Sequence, residues 1–184
     1  GKVQVIPNGV DHMNRISADD SILRRHQLCS QNYFLAMGSV SKHKNLICTL
    51  NAIAACSSEA PRLVVVGGNV SEIKAVFASS ISERVLLLGR VSDEELKALY
   101  MHANAFLFPS ITEGFGLPPL EAMHCGCPVV ASTSGAMSEV CGDTVCYADP
   151  DKPEDWAASM EELASDPKEC EKISARACHR AAKF

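Results

Sequence analysis

The chain has 184 residues, of which 47% are hydrophobic and 21% are charged, which is typical of a globular protein and excludes disordered and fibrous classes. Lys and Arg number 17 against 22 Asp and Glu, and the net charge of −5 argues against a nucleic-acid partner. No apolar run is long enough to span a membrane, and residues 1–10 lack the pattern of a signal peptide. We therefore expect a cytoplasmic protein with one main domain.

The first part of the chain reads differently from the rest. Residues 1–32 contain a Pro-Asn-Gly turn signal and only a weak helical pattern, so we predict an irregular lead-in before a domain over residues 33–184. From residue 33 onward, short apolar runs alternate with longer amphipathic stretches. We predict strands at Tyr33–Met37, Leu63–Val66, Val85–Leu88, Ala105–Phe108, Val129–Ala131 and Thr144–Tyr147.

Between these strands, apolar residues recur at helical spacing. A capping box of Ser92 and Glu95 precedes one predicted helix, and Pro153 opens a later one. Strands that are apolar throughout and alternate with helices are typical of a parallel sheet covered on both faces. The fold class predicted is therefore α/β, a doubly wound, Rossmann-like parallel sheet of about six strands. The predicted inward-facing residues of three helices are Leu46, Leu50, Ile53 and Ala54, then Leu96, Leu99, Tyr100 and Ala103, then Trp156, Met160, Leu163 and Ala164.

Nine cysteines are scattered along the chain without a C-x-x-C pair, and most lie in apolar stretches. We predict reduced thiols that are mostly buried. Cys125 and Cys127 beside His124 form the one C-x-C, but a fourth ligand at suitable spacing is missing, so we predict no metal site there and place His124 on a helix surface.

Ligands of doubly wound sheets bind beyond the carboxyl ends of the strands, which directs attention to the loops that follow them. The first such loop, GSVSKHKN, carries Lys44, and the loop after Phe108 reads PSITEGFGLPPLEAM. Neither a G-x-G-x-x-G motif after the first strand nor a P-loop motif is present, so a dinucleotide dehydrogenase and a P-loop NTPase are not supported.

The stretch EGFGLPPLEAM combines features suited to a sugar nucleotide. Glycines at 114 and 116 allow close backbone approach, and the amides of residues 115–117 should point out of a helix N-terminus. Glu113 and Glu121 flank this position; carboxylates repel a bare phosphate but accept hydrogen bonds from neutral hydroxyls, and Lys44 would offset a diphosphate. A purely structural alternative stays open, since a Glu in the first helical turn also stabilises the helix through its dipole.

Several stretches in order resemble one family. FPSITEGFGLPPLEAMHCGCPVVASTSGAMSEVCGD resembles the signature of retaining glycosyltransferases of family 4, in the nucleotide-sugar half of the GT-B fold, and Glu113 and Glu121 match its E-x(7)-E motif. VIPNGVD looks like the family's interdomain connection, FLAMGSVSKHKNL its first strand and phosphate loop, and LLLGRVSDEELKALYMHANAFLFPS its base-binding loop and following strand. The likeness covers roughly residues 3–165. It implies that residues 1–32 include an interdomain connection and that residues 33–184 form the C-terminal half of a GT-B enzyme.

The resemblance also implies roles for individual residues. Glu121 would bind the ribose hydroxyls, and Glu113 the donor-sugar hydroxyls, with Glu113 and Lys44 as the catalytic pair. Ser39 stands in the first loop where many members have Arg, and His43 where related members often have Arg, so the diphosphate would depend mainly on Lys44. The donor-binding set predicted is Ser39, Lys44, Arg90, Val91, Glu113, Gly114, Phe115, Gly116, Leu117 and Glu121.

The function implied is the donor-binding half of a retaining glycosyltransferase that moves a hexose from a nucleotide diphosphate sugar to a saccharide or lipid-linked acceptor. The GSVSKHKN stretch favours a GDP-mannose user in bacterial polysaccharide synthesis. We expect no cofactor and no metal. We also expect the acceptor to be bound by an N-terminal domain outside this chain, so that the chain alone would be inactive. Peripheral association of the full-length enzyme with the inner face of the membrane is left open, as are two alternatives, a non-catalytic nucleotide-sugar-binding module and a GT-B epimerase.

Overall fold

A computed structural model of the chain describes residues 8–133 and 136–184; residues 5–7 of the VIPNGVD stretch and Gly135 of GAMSEV lie outside the described part. Within it, six parallel strands form one sheet in the order β3-β2-β1-β4-β5-β6, which confirms the doubly wound α/β class. The strands are β1 (Tyr33–Met37), β2 (Arg62–Val66), β3 (Val85–Gly89), β4 (Ala105–Phe108), β5 (Val129–Ser132) and β6 (Cys146–Ala148).

Helices cover both faces of the sheet. They are α1 (His12–Arg15), α2 (Ser21–Arg25), α3 (Leu46–Ala55), α4 (Val70–Phe77), α5 (Asp93–His102), α6 (Leu117–His124), α7 (Met137–Cys141), α8 (Pro153–Ser165) and α9 (Pro167–Ala181), with 3-10 turns at Lys42–Lys44 and Ala78–Ser80. Successive strand residues point to opposite faces, so β1 contributes Tyr33 and Leu35 to one core and Phe34 and Ala36 to the other. The first core is covered by α1, α2, α5, α6 and α7, and the second by α3, α4 and α8, while α9 contributes buried residues to both.

Most predicted elements are confirmed, with shifts at their ends. The strands at Tyr33–Met37 and Ala105–Phe108 have the predicted bounds, whereas the last strand was placed too early. Thr144 instead belongs to the turn after α7, because its hydroxyl donates to the Cys141 carbonyl at 2.7 Å and its amide donates to the same oxygen at 3.4 Å. The capping box before α5 is present, with both the Ser92 and Glu95 side chains engaged.

The faces of the helices are predicted well but not completely. Trp156, Met160 and Leu163 are buried as expected. The prediction that Ala54 faces inward is wrong, because Ala54 is exposed. The buried face of α3 includes Ala52 instead, beside Leu46, Leu50 and Ile53.

The lead-in is more ordered than predicted. Residues 8–32 include the short helices α1 and α2, whose Met13, Ile22 and Leu23 are buried in the first core. Such short helices carry too few apolar positions for a recognisable period, and they are held in place by tertiary packing. The interdomain role of residues 1–32 stays a prediction.

The cysteines follow the expectation for small apolar side chains. All nine are free thiols, and five of them are buried. Burial raises the pKa of Cys125 and of Cys48 to about 12, so both thiols stay protonated near neutral pH. Among the described residues, no cluster of three His, Cys, Asp or Glu side chains has the geometry to hold a metal ion, and no helix is long and apolar enough to cross a membrane.

Candidate functional site

The strand order reverses between β1 and β4, and the loops that follow these two strands meet at the carboxyl edge of the sheet. The Ile111 amide donates to the His43 carbonyl at 2.8 Å, which joins the two loops through their backbones. Asn45 adopts the left-handed conformation, and its side-chain amide donates to the carbonyls of Pro109 (3.3 Å) and Pro150 (2.8 Å). The two loops therefore form one connected platform.

Lys44 and Glu113 form an ion pair on this platform. The Lys44 ammonium lies 2.6 Å from Glu113 Oε1, and the Ser110 hydroxyl donates to the same oxygen at 2.5 Å. The Glu113 side chain is 16% exposed and that of Lys44 is 34% exposed, so both groups are partly covered but reach solvent. Because an ammonium has three N–H donors, Lys44 can hold Glu113 and still present donors to an anion.

The beginning of α6 is built around Gly116. Gly116 has φ +98°, a conformation that favours glycine, and a Cβ at this position would overlap the Met137 side chain. The first hydrogen bond of α6 is donated by the Leu120 amide to the Gly116 carbonyl, so the Leu117 amide has no partner within the helix. The positive end of the helix dipole therefore faces the loop that precedes α6. The neighbouring Phe115 ring packs edge-on against Phe184 at 5.9 Å. A helix start with an unpartnered amide can bind an anion, and the anion site at α6 stays a prediction.

Glu121 lies one turn further along α6, with a side chain only 17% exposed. His12 Nε2 of α1 lies 3.0 Å from its Oε1. Burial is the main cause that raises the pKa of Glu121, and the hydrogen bond from His12 opposes that rise. The carboxyl group is thus set in a low-dielectric position but retains a polar partner.

The other predicted residues lie along the same edge of the sheet. Ser39 is half-buried, and its hydroxyl accepts from the Ser41 amide at 3.1 Å. Arg90 is exposed, while Val91 packs against the first core; both follow β3, three strand positions from β4. At about 4.8 Å per strand, the two ends lie on the order of 14 Å apart. Gly114, which has open space around it, lies between Glu113 and the start of α6.

Three contributors to the site were missed from the sequence. Ser110 follows β4 after one intervening residue, Pro109, and Asn45 directly precedes α3. Polar residues at such positions signal a role at the carboxyl edge of a sheet. His12 carries no such signal, because 109 positions separate it from Glu121 and only the packing of α1 on α6 brings them together. His124 is half-buried and contacts Asn14 Oδ1 at 3.0 Å, consistent with its prediction as a helix-surface residue.

A cleft of about 160 Å³ lies at the opposite, amino edge of the sheet, where Asn104 and Pro128 precede their strands. Its charged lining residue is Glu171, beside polar residues such as Gln31 and Ser174. The combination of a cation, two carboxylates and a helix N-terminus is found at the carboxyl edge, where ligands of such sheets bind. We therefore place the functional site at the carboxyl edge.

The sheet order and the platform at its switch point define a doubly wound, Rossmann-like α/β domain. Residues 21–180 match the family model described as "Glycosyl transferases group 1", and the chain belongs to this family.

Curated relatives agree with this assignment. The chain is 32% identical over 153 residues to the O-antigen chain mannosyltransferase RfbU of Salmonella typhimurium, covering 82% of this chain and 42% of that protein. It is 34% identical over 172 residues to O-antigen chain mannosyltransferase B of Escherichia coli, covering 89% and 45%. The chain thus spans less than half the length of these two relatives.

Solved structures share the fold. The crystal structure of Anabaena Alr3699/HepE in complex with UDP and glucose superposes with a TM-score of 0.84 at 22% identity, covering 98% of this chain and 52% of that one. The C-terminal domain of a group 1 glycosyl transferase (LpcC) from Francisella tularensis superposes with a TM-score of 0.76 at 22% identity, covering 95% and 97%. These likenesses support the fold assignment alone.

Proposed function

We propose that this chain is the donor-binding, C-terminal half of a retaining glycosyltransferase of family 4, with a nucleotide diphosphate hexose as its donor. The observation that carries the proposal is the meeting of Lys44, Glu113 and the start of α6 at the β1–β4 switch point. The Francisella structure, a C-terminal domain of which this chain covers 97%, has the same fold, which is what this proposal requires.

The donor would lie across the ends of β3, β2, β1 and β4. Its base would sit near Arg90 and Val91, and its ribose hydroxyls would donate to Glu121. A separation on the order of 14 Å between the ends of β3 and β4 leaves room for an extended nucleotide rather than a free phosphate. This arrangement supports the use of the whole edge as one binding site.

The diphosphate would rest between Lys44 and the backbone at the start of α6. The loop from Gly114 to Leu117 supplies amides, with Leu117 at the helix N-terminus, and Lys44 supplies a full positive charge. Ser39 adds a hydroxyl at the first loop. Glu113, held by Lys44 and Ser110, keeps its second oxygen for hydroxyls of the hexose.

In the transfer step, the bond between the hexose C1 and the diphosphate oxygen breaks and a bond from C1 to the acceptor oxygen forms on the same face. The acceptor proton passes to the leaving diphosphate. Negative charge develops on that diphosphate, where Lys44 and the α6 N-terminus stabilise it, and we propose that no metal or cofactor is required. The acceptor, a saccharide or lipid-linked saccharide, would be held by an N-terminal domain and brought into near-attack geometry there.

The two O-antigen mannosyltransferases among the relatives support mannose as the first hexose to test and bacterial polysaccharide synthesis as the setting. Association of the full-length enzyme with the inner face of the membrane would fit a lipid-linked acceptor.

The proposal is tested by calorimetric titration of the chain with GDP-mannose, UDP-glucose and other nucleotide sugars in the presence of EDTA. We expect at least one donor to bind, with equal affinity after magnesium or manganese is added. In the Lys44→Met variant, loss of a charge-assisted contact should weaken binding on the order of 10-fold. The exposed Lys168→Met, on α9, is the matched control and should bind as the wild type does.

Failure of every donor to bind, or binding that requires a divalent cation, would contradict the proposal.

A further inference from the structure

The short helix α1 is fixed to α6 by two crossed contacts. His12 Nε2 of α1 lies 3.0 Å from Glu121 Oε1 of α6, and His124 Nε2 of α6 lies 3.0 Å from Asn14 Oδ1 of α1. From α5, the Lys97 ammonium donates to the carbonyls of Met13 and Ile16, each at 2.8 Å. The position of His12 relative to Glu121 is therefore set by three helices rather than by a mobile loop.

Glu121 must be ionised to accept two hydroxyls of a ribose. A protonated carboxyl group keeps a donor on one oxygen and loses acceptor capacity there. Burial favours the protonated form of Glu121 and raises its pKa, while the hydrogen bond from His12 favours the carboxylate. The contact engages Oε1 and leaves Oε2 as the second oxygen of the group.

We propose that His12 is a positioning residue for nucleotide binding: it orients the Glu121 carboxylate through Oε1, keeps that group ionised, and makes nucleotide affinity depend on pH. This inference rests on the proposed role of Glu121 as the ribose-binding carboxylate. It assigns a part in the donor site to the segment that precedes the sheet domain.

Other ionisable groups face the pair from the elements packed around it. Asp93 of α5 opposes ionisation of Glu121, and burial with the nearby charges of Lys97 and His12 lowers the pKa of His124, which Asp11 opposes. Tyr100 and Cys125 lie within electrostatic reach of Glu121, and burial raises the pKa of both, so they stay neutral over the range of interest. Within the described part of the chain, His12 is the group with a side-chain hydrogen bond to Glu121.

The test measures the affinity of the whole chain for GDP and for UDP by calorimetry between about pH 5.5 and about pH 8.5. Wild-type affinity should fall toward acid pH as Glu121 is protonated. Removal of the donor in His12→Ala raises the pKa of Glu121, so the fall should begin at a higher pH. The ratio of wild-type to variant affinity should therefore be larger at the acid end of this range than at its alkaline end, where the two affinities should agree within about 2-fold.

Two further variants separate this role from a general loss of packing. His12→Gln keeps a side-chain amide that can donate to Glu121, and it should recover part of the lost affinity. Asn14→Ala removes the other crossed contact between α1 and α6 without touching Glu121, and its pH profile should follow that of the wild type.

The outcomes distinguish this inference from the proposed function. Glu121→Gln that binds nucleotide as tightly as the wild type, or a wild type that binds neither nucleotide, would refute both. A different result would refute the role of His12 and leave the proposed function standing. In that result Glu121→Gln weakens binding, but the pH profiles of His12→Ala and His12→Gln superimpose on that of the wild type or lie below it by one constant factor at every pH.

Discussion

Glu121 shows a conflict between stability and binding at the scale of a single residue. Its side chain is 17% exposed, and burial raises its pKa above the ordinary value. At pH values between the ordinary pKa of the unfolded chain and the raised pKa of the folded chain, the folded state binds more protons than the unfolded state. The stability contributed by Glu121 therefore falls as pH rises through this range. A carboxylate kept at such a position despite this cost is typical of binding sites rather than of cores.

Glu121→Gln should therefore stabilise the fold relative to the wild type, and the gain should grow as pH rises from acid to neutral. Urea denaturation of both proteins at several pH values measures the difference. The exposed Glu59→Gln should show no comparable trend. A Glu121→Gln variant that loses stability relative to wild type as pH rises would show that the assigned direction of the pKa shift is wrong.

The sequence predicted individual site residues only where they belong to a local motif. Lys44, Glu113 and the glycines of the loop occur in short stretches whose spacing carries the information. The partner of Glu121 could not be found in this way, because His12 reaches it through the docking of a four-residue helix. Ser110 was missed although it lies two residues beyond the end of β4, since a single serine near a strand end is a weak signal.

At the scale of secondary-structure elements, α6 depends on how it starts. Gly116 supplies a positive φ, Pro118 and Pro119 occupy the first turn, and Met137 of α7 packs where a Cβ would lie. The backbone conformation at the start of α6 therefore requires glycine at position 116.

Gly116→Ala should destabilise the chain by about 1–3 kcal/mol, because the new side chain is strained at this φ and displaces Met137. Gly114→Ala is the matched control: a Cβ there meets nothing within 4 Å, and its φ lies outside the positive range. The free energy of unfolding from urea titrations provides the comparison, and equal values for the two variants would contradict the account of the helix start.

The elements themselves were largely predictable, for a physical reason. β1, β2, β4 and β5 are buried and apolar along nearly their whole length, and the half-buried edge strand β3 is apolar as well, so β1 to β5 stand out in the sequence. The Ser92–Glu95 box marks the start of α5. β6 is only three residues long and lies at the edge of the sheet, where the turn after α7 decides its first residue. α1 and α2 are stabilised by packing on an apolar surface of the sheet domain. The residues of these two short helices do not by themselves predict that contact.

At the scale of the whole molecule, the order of strands turns separate motifs into one site. Lys44 follows the first strand and Glu113 the fourth, 69 positions later, and they become neighbours because β1 and β4 are adjacent. The two O-antigen mannosyltransferases compared above are about twice as long as this chain, which covers 42% and 45% of them. Under the function proposed above, this chain binds the donor and the rest of the protein binds the acceptor.

The central claim is that the two carboxylates divide the donor between them, Glu121 holding the ribose and Glu113 the hexose. The most direct test compares the affinities of wild type, Glu121→Gln and Glu113→Gln for a nucleotide sugar and for its nucleoside diphosphate. Glu121→Gln should weaken both ligands about 10-fold, since each contains the ribose. Glu113→Gln should weaken the nucleotide sugar alone and leave the nucleoside diphosphate bound equally or more tightly, because Lys44 is released from its ion pair. Equal effects of Glu113→Gln on the two ligands, or no effect of Glu121→Gln on either, would contradict this assignment.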